Sequence, residues 1–178
     1  MKTGIQSTKA HESRAAALFT RANERWEQGK LRSAFRLFLS AAKAGDPGAQ
    51  HDLGYFYDVG VGVKPNRAEA LYWYRRADRQ GYSGAAYNIG TILRDEHKAR
   101  QAVKWFQQAV KLGDGDANLE IAKIYLGDRR TFKRAVEYLN RTSKSPNATQ
   151  DFKEEARRML RGLKSRKGGR ARLNPPPA

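Results

Sequence analysis

Residues Ala49–Ala85, AQHDLGYFYDVGVGVKPNRAEALYWYRRADRQGYSGA, set the terms for the rest of the chain, because their order of small, aromatic and glycine residues returns before and after them. In turn come Ala49, Leu53, Gly54 and Tyr57, the run Gly60-Val61-Gly62-Val63, then Ala70, Trp73, Tyr74 and Ala77, and finally Gly81 and Ala85. Apolar residues spaced by three and four mark two amphipathic helices, and glycines mark the turns that end them. Residues 49–85 are therefore one repeat unit, a helix pair.

Downstream the plan recurs with Ala85, Ile89, Gly90 and Leu93, then Ala102, Trp105, Phe106, Ala109 and Gly113. Ala85 follows Ala49 by 36 residues, whereas Ala102, Trp105 and Gly113 follow Ala70, Trp73 and Gly81 by 32, so the glycine-valine loop has been lost. A weaker third copy offers Ala117, Ile121, Ala122 and Tyr125, then Ala135, Val136, Tyr138 and Leu139, with Thr142 where the others have alanine. Upstream, Phe19, Ala22 and Trp26 predict a helix over about 12–28 ending at Gly29, and Ala34, Leu37, Phe38, Ala41 and Ala42 predict a second ending at Gly45. Asp46-Pro47 supplies a cap and a first-turn proline for the next helix, and Asn66 with Glu69 forms a variant capping box.

The fold class is accordingly all-α, an α-solenoid of about four stacked antiparallel helix pairs closed by a capping helix over 149–163 whose apolar side is Phe152, Ala156, Met159, Leu160 and Leu163. Residues 1–10 are expected to be a disordered leader, 11–163 the repeat domain, and 164–178 a basic, Gly/Pro-rich disordered tail. Within the repeats Gly54, Gly90 and Ala122 are close-approach positions, and Trp73 and Trp105 are expected in the core.

The pattern Ala49-x3-Leu53-Gly54-x2-Tyr57-x2-Gly60-x-Gly62-Val63, followed by Glu69-Ala70-x2-Trp73-Tyr74-x2-Ala77-x3-Gly81, resembles the Sel-one-like repeat, a branch of the tetratricopeptide superfamily. The resemblance covers about 12–142: nearly complete over 49–85, without the glycine loop over 85–117, partial over 117–142, and visible only in the second helix over 34–49. It implies a non-enzymatic adaptor or scaffold with no catalytic residues. It also implies that the non-core positions of each first helix line a groove: Thr20, Glu24 and Glu27, then His51, Tyr55 and Asp58, then Tyr87, Thr91 and Arg94, then Leu119, Lys123 and Leu126. Of these, His51, Tyr55, Asp58, Tyr87, Thr91, Arg94 and Lys123 are the candidate partner-binding residues. The partner is a protein or peptide, an acidic one being a candidate.

The formal charge of +17 implies attraction to polyanions. Lys164, Arg166, Lys167, Arg170 and Arg172 carry five of those charges with no acid beyond Leu163, which leaves +12 on the rest of the chain. Those five are candidate polyanion-binding residues, and nucleic-acid binding through the basic surface and tail is the alternative function. Absence of cysteine excludes disulfides, three scattered histidines make a poor zinc set, and no cofactor is expected. Gly60-Val61-Gly62-Val63-Lys64 lacks the preceding strand and the Lys-Ser/Thr pair of a phosphate loop. His51 with Asp58 could share a helix face as an acid–base or metal pair, yet nothing converges with them in sequence. With neither a secretory signal nor a long apolar run, a cytoplasmic location is expected.

Overall fold

The computed structural model describes the backbone of residues 2–171 and the side chains of residues 12–165. Among the described residues the chain is all helical, with α1 (Lys2–Glu27), α2 (Leu31–Lys43), α3 (Pro47–Val59), α4 (Arg67–Asp78), α5 (Ser83–Asp95), α6 (Ala99–Lys111), α7 (Ala117–Leu126), a 3-10 turn at Arg129–Thr131, α8 (Phe132–Lys144) and α9 (Gln150–Ala171). Consecutive helices pack as pairs, the arrangement of an α-solenoid. No described helix is long and apolar enough to cross a membrane. The expected disorder of 164–178 falls largely, and that of the 1–10 leader entirely, outside the residues whose side chains are described.

The local signals act as their chemistry dictates. Asp46 Oδ1 accepts the Ala49 amide at 2.7 Å, and Asn66 Oδ1 accepts the amides of Ala68 and Glu69, so both caps satisfy first-turn donors that have no partner inside the helix. Gly60 and Gly62 take φ of +83° and +66°, and a methyl group on Gly62 would sit 3.0 Å from the Leu31 backbone. The glycine-valine loop is thus a left-handed turn folded over the start of α2, and glycine is the residue that meets both demands.

The chain divides into two compact units, 1–89 and 90–178, with the boundary inside α5. In the first unit α1 packs on α2, α2 on α3 and α3 on α4. Its core gathers Ala22, Ala34, Phe38, Ala41, Leu53 and Phe56 around an aromatic cluster. Trp26 meets Phe56 edge-on at 5.2 Å, and Phe38 lies 5.1 Å from Phe56. The buried amide of Gln50 ties the turns together, with Gln50 Nε2 donating to the Ala42 carbonyl at 3.1 Å and the exposed Gln80 donating from Nε2 to Gln50 Oε1 at 2.8 Å.

In the second unit α6 packs on α7, α7 on α8 and α8 on α9. Leu119, Ala122, Leu139 and Ala156 form its core, with Phe152, Met159, Leu160 and Leu163 of α9 against them, so α9 closes the stack with the face expected of it. Two expectations are corrected. Leu119, expected to face a groove, is fully buried, and Trp105, expected in the core, is only half-buried.

Candidate functional site

The candidate residues of the first unit stand on α3 and the start of α5. His51 is held from both sides: Nδ1 pairs with Asp52 Oδ1 at 2.9 Å and Nε2 with Asn88 Nδ2 at 3.0 Å, a pattern that seats the ring proton on Nδ1. Its ring lies 4.8 Å from that of Tyr82 and 5.7 Å from that of Tyr74. Burial, with Asp58 nearby, holds the Tyr74 hydroxyl above the usual phenol range, and burial with Asp52 does the same for Tyr82. His51 therefore links α3 to α5, a role its isolated place in the sequence does not show.

Tyr55 is half-buried with its ring 6.0 Å from that of Trp26, so it lends area to the core as well as to the surface. Asp58 lies 3.8 Å from Arg67 Nε, and Tyr87 is half-buried on α5. His51 and Asp58 do not come together with a third ligand. Among the described residues no group of three or more His, Cys, Asp or Glu could hold a metal ion.

The candidates of the second unit tell a different story. Arg94 and Lys123 converge on Glu120 of α7, whose side chain is only 4% exposed. Arg94 Nη1 donates to Glu120 Oε2, Lys123 Nζ to Glu120 Oε1 at 3.0 Å, and Lys123 reaches on to Glu155 of α9 at 3.2 Å. Burial acts to lower both cations, but the bonds that Arg94 donates to Asp95 and Glu120, and that Lys123 donates to Glu120 and Glu155, hold both above their ordinary values. A buried carboxylate needs such partners, since an unpaired charge out of water is costly. Glu120 is the residue sequence reasoning missed; an acid at i with a lysine at i+3 on an otherwise apolar helix was the available signal. Thr91 of α5 has its hydroxyl enclosed with no hydrogen-bond partner among the described residues.

Of the tail candidates, Lys164 is exposed beside an apolar cleft between α8 and α9, whereas the side chains of Arg166, Lys167, Arg170 and Arg172 lie outside the described residues.

Comparison with known proteins places this geometry. The family model described as Sel1 repeat matches residues 30–46, 47–82 and 83–114. An uncharacterized protein of Neisseria meningitidis is 36% identical over 94 residues, 53% of this chain and 20% of that protein. The putative sel1-like repeat-containing protein L21 of Acanthamoeba polyphaga mimivirus is 32% identical over 85 residues, 48% of this chain and 16% of that protein. The chain thus spans at most about a fifth of the length of these two relatives. Among solved structures, the Sel1 repeat protein from Oxalobacter formigenes superposes with a TM-score of 0.66 at 26% identity, over 74% of this chain and 58% of that one.

Proposed function

Residues 30–114 match the Sel1 repeat, and from that premise we propose that the chain works as a non-catalytic adaptor whose first helices hold a peptide or protein segment. Repeats of this kind generally mediate protein–protein interaction. The observation that carries the finer reading is in the first unit. Ala49, Leu53 and Phe56 of α3 and Ala85 and Ile89 of α5 are buried, while His51, Tyr55, Asp58 and Tyr87 on the same two helices stay partly exposed.

That face is aromatic, and α3 carries Asp52 and Asp58 with no lysine or arginine. With Asp52 met by His51 and Asp58 by Arg67, what the face offers a partner is chiefly its tyrosine rings, which supply contact area at low entropic cost. An acidic partner finds no support on this face. In the second unit Arg94 and Lys123 neutralise Glu120, so their contribution to a partner is smaller than their charge suggests.

Photo-crosslinking tests this without unfolding the chain. Benzoylphenylalanine placed at Tyr87 should capture a discrete partner band from native extract, and the same group at exposed Glu154 on α9 should not. Capture from position 154 with none from 87 would sink the reading.

A further inference from the structure

Two of the second helices, α2 and α6, carry a full basic stripe that packing does not require, and α8 carries part of one. On α2, Arg32, Arg36 and Lys43 stand at i, i+4 and i+11, and on α6 Arg100, Lys104 and Lys111 repeat that spacing. At about 100° per residue each set falls on one line roughly opposite the buried residues of its helix, Ala34, Phe38 and Ala41 or Ala102, Phe106 and Ala109. On α8, Lys133 and Lys144 take the first and last places, and the acidic Glu137 takes the middle one. All eight cationic side chains are exposed, and no carboxylate pairs with them among the described residues.

Helix stability explains only part of this. Lys43, Lys111 and Lys144 sit in or beside last turns, where positive charge complements the helix dipole. Arg32, Arg100 and Lys133 stand in first turns that hold no acidic residue, where the dipole opposes them. A charge kept at an unfavourable place, three times over, points to a ligand and away from packing.

The stripes come with aromatic platforms. On α4 the middle place of the stripe is Tyr72, 48% exposed, with the Arg76 guanidinium 5.9 Å from its ring and 5.4 Å from that of Trp73. In the second unit Arg141 stands over Tyr138 at 4.8 Å. Arg76 and Arg141 are equivalent, each six residues after the buried alanines Ala70 and Ala135. Arg76 and Arg79 flank a depression of about 340 Å³, and Arg141 with Lys111 flanks one of about 350 Å³.

An anionic membrane fits this poorly, because a helix lying in the interface buries an apolar face there and α2, α6 and α8 have theirs in the core. Rows of cations with arginine–tyrosine platforms suit a polymer of regular phosphates whose planar bases are open to stacking. We propose that, in each unit, the outward face of the second helices binds single-stranded nucleic acid, with phosphates on the basic stripes and bases at Tyr72–Arg76 and Tyr138–Arg141. This surface is separate from the face on α3 and α5, so either can fail alone.

Fluorescence anisotropy of the full chain with a labelled oligouridylate of about twenty residues tests it. Arg32→Gln/Arg36→Gln/Lys43→Gln and Arg100→Gln/Lys104→Gln/Lys111→Gln should each weaken binding about tenfold at low salt. Each should also flatten the dependence of log Kd on log salt by about 2, at roughly 0.7 per phosphate released. Tyr72→Ala should cost about five- to fiftyfold on oligouridylate and under about twofold on a duplex of equal length. Thermal melts should show all three variants folded. Parent-like binding by both triple variants overturns the proposal. So does loss of binding only in Arg166→Gln/Lys167→Gln/Arg170→Gln/Arg172→Gln, or equal affinity for polyglutamate or phosphatidylserine vesicles.

Discussion

Glu120 has a side chain 4% exposed with cations on both oxygens, and each of those cations is 36% exposed. Removing the carboxylate leaves Arg94 and Lys123 able to reach water, so the penalty falls below the 3–5 kcal/mol of a fully buried broken pair. Glu120→Ala should cost about 2 kcal/mol in a urea titration. Asp114 is a different case. Its carboxylate accepts the amides of Asp116 and Ala117 at the start of α7, yet burial raises it above the ordinary 3.8. Between 3.8 and that raised value the folded chain binds more protons than the unfolded, so this group's contribution declines as pH rises through the window and its cost is fully present above it. Asp114→Asn keeps an acceptor without the charge and should leave the pH 7 melting temperature unchanged or higher. Asp114→Ala loses the cap as well and should cost about 1 kcal/mol. For Thr91, whose hydroxyl is enclosed without a partner, Thr91→Val should be neutral or stabilising by the same melt.

Between elements, the close approach of each helix pair is set by a small residue against a large one. A methyl group on Gly54 would come within 2.7 Å of the Tyr74 ring, and one on Gly90 within 2.8 Å of the Phe106 ring. The third copy has Ala122 in this place and Leu139 in place of the ring, both fully buried. Where the partner loses its ring, the small residue regains a methyl group. Gly90→Ala should cost about 1–3 kcal/mol by overpacking, and Phe106→Leu should relieve part of that, so the double variant in a urea titration loses less than the two single costs added. The tryptophans separate in the same way. Trp73, 5% exposed, should cost about 3–5 kcal/mol as Trp73→Ala, and half-buried Trp105 under about half as much.

Across the whole molecule the charge of +17 opposes compaction and is screened by salt. The melting temperature should therefore rise between about 20 and 200 mM salt, and a fall would show that ion pairs such as Arg94–Glu120 outweigh the repulsion. Helix existence, the order of pairs, the Asp46 and Asn66 caps and the apolar side of α9 were all legible in residue spacing. Each depends on neighbours within a turn or two, and periodicity records such neighbours directly. The contacts of the site were not. Arg94 meets Glu120 across 26 residues, and His51 meets Asn88 across 37, through the packing of α5 on other helices. Side chains assigned to a groove by register thus proved to be partly committed: His51 to Asp52 and Asn88, Tyr55 to Trp26, Arg94 and Lys123 to Glu120.

By itself, then, the sequence of Ala49–Ala85 and its copies determined that this protein is a stack of helix pairs and which residues its core needs, because a repeat carries its own short-range rule. Tertiary structure alone decided which of the remaining residues keep a surface to offer. A side chain's freedom depends on what distant helices bring against it, and that put the unpaired cations on the outward faces of α2, α6 and α8.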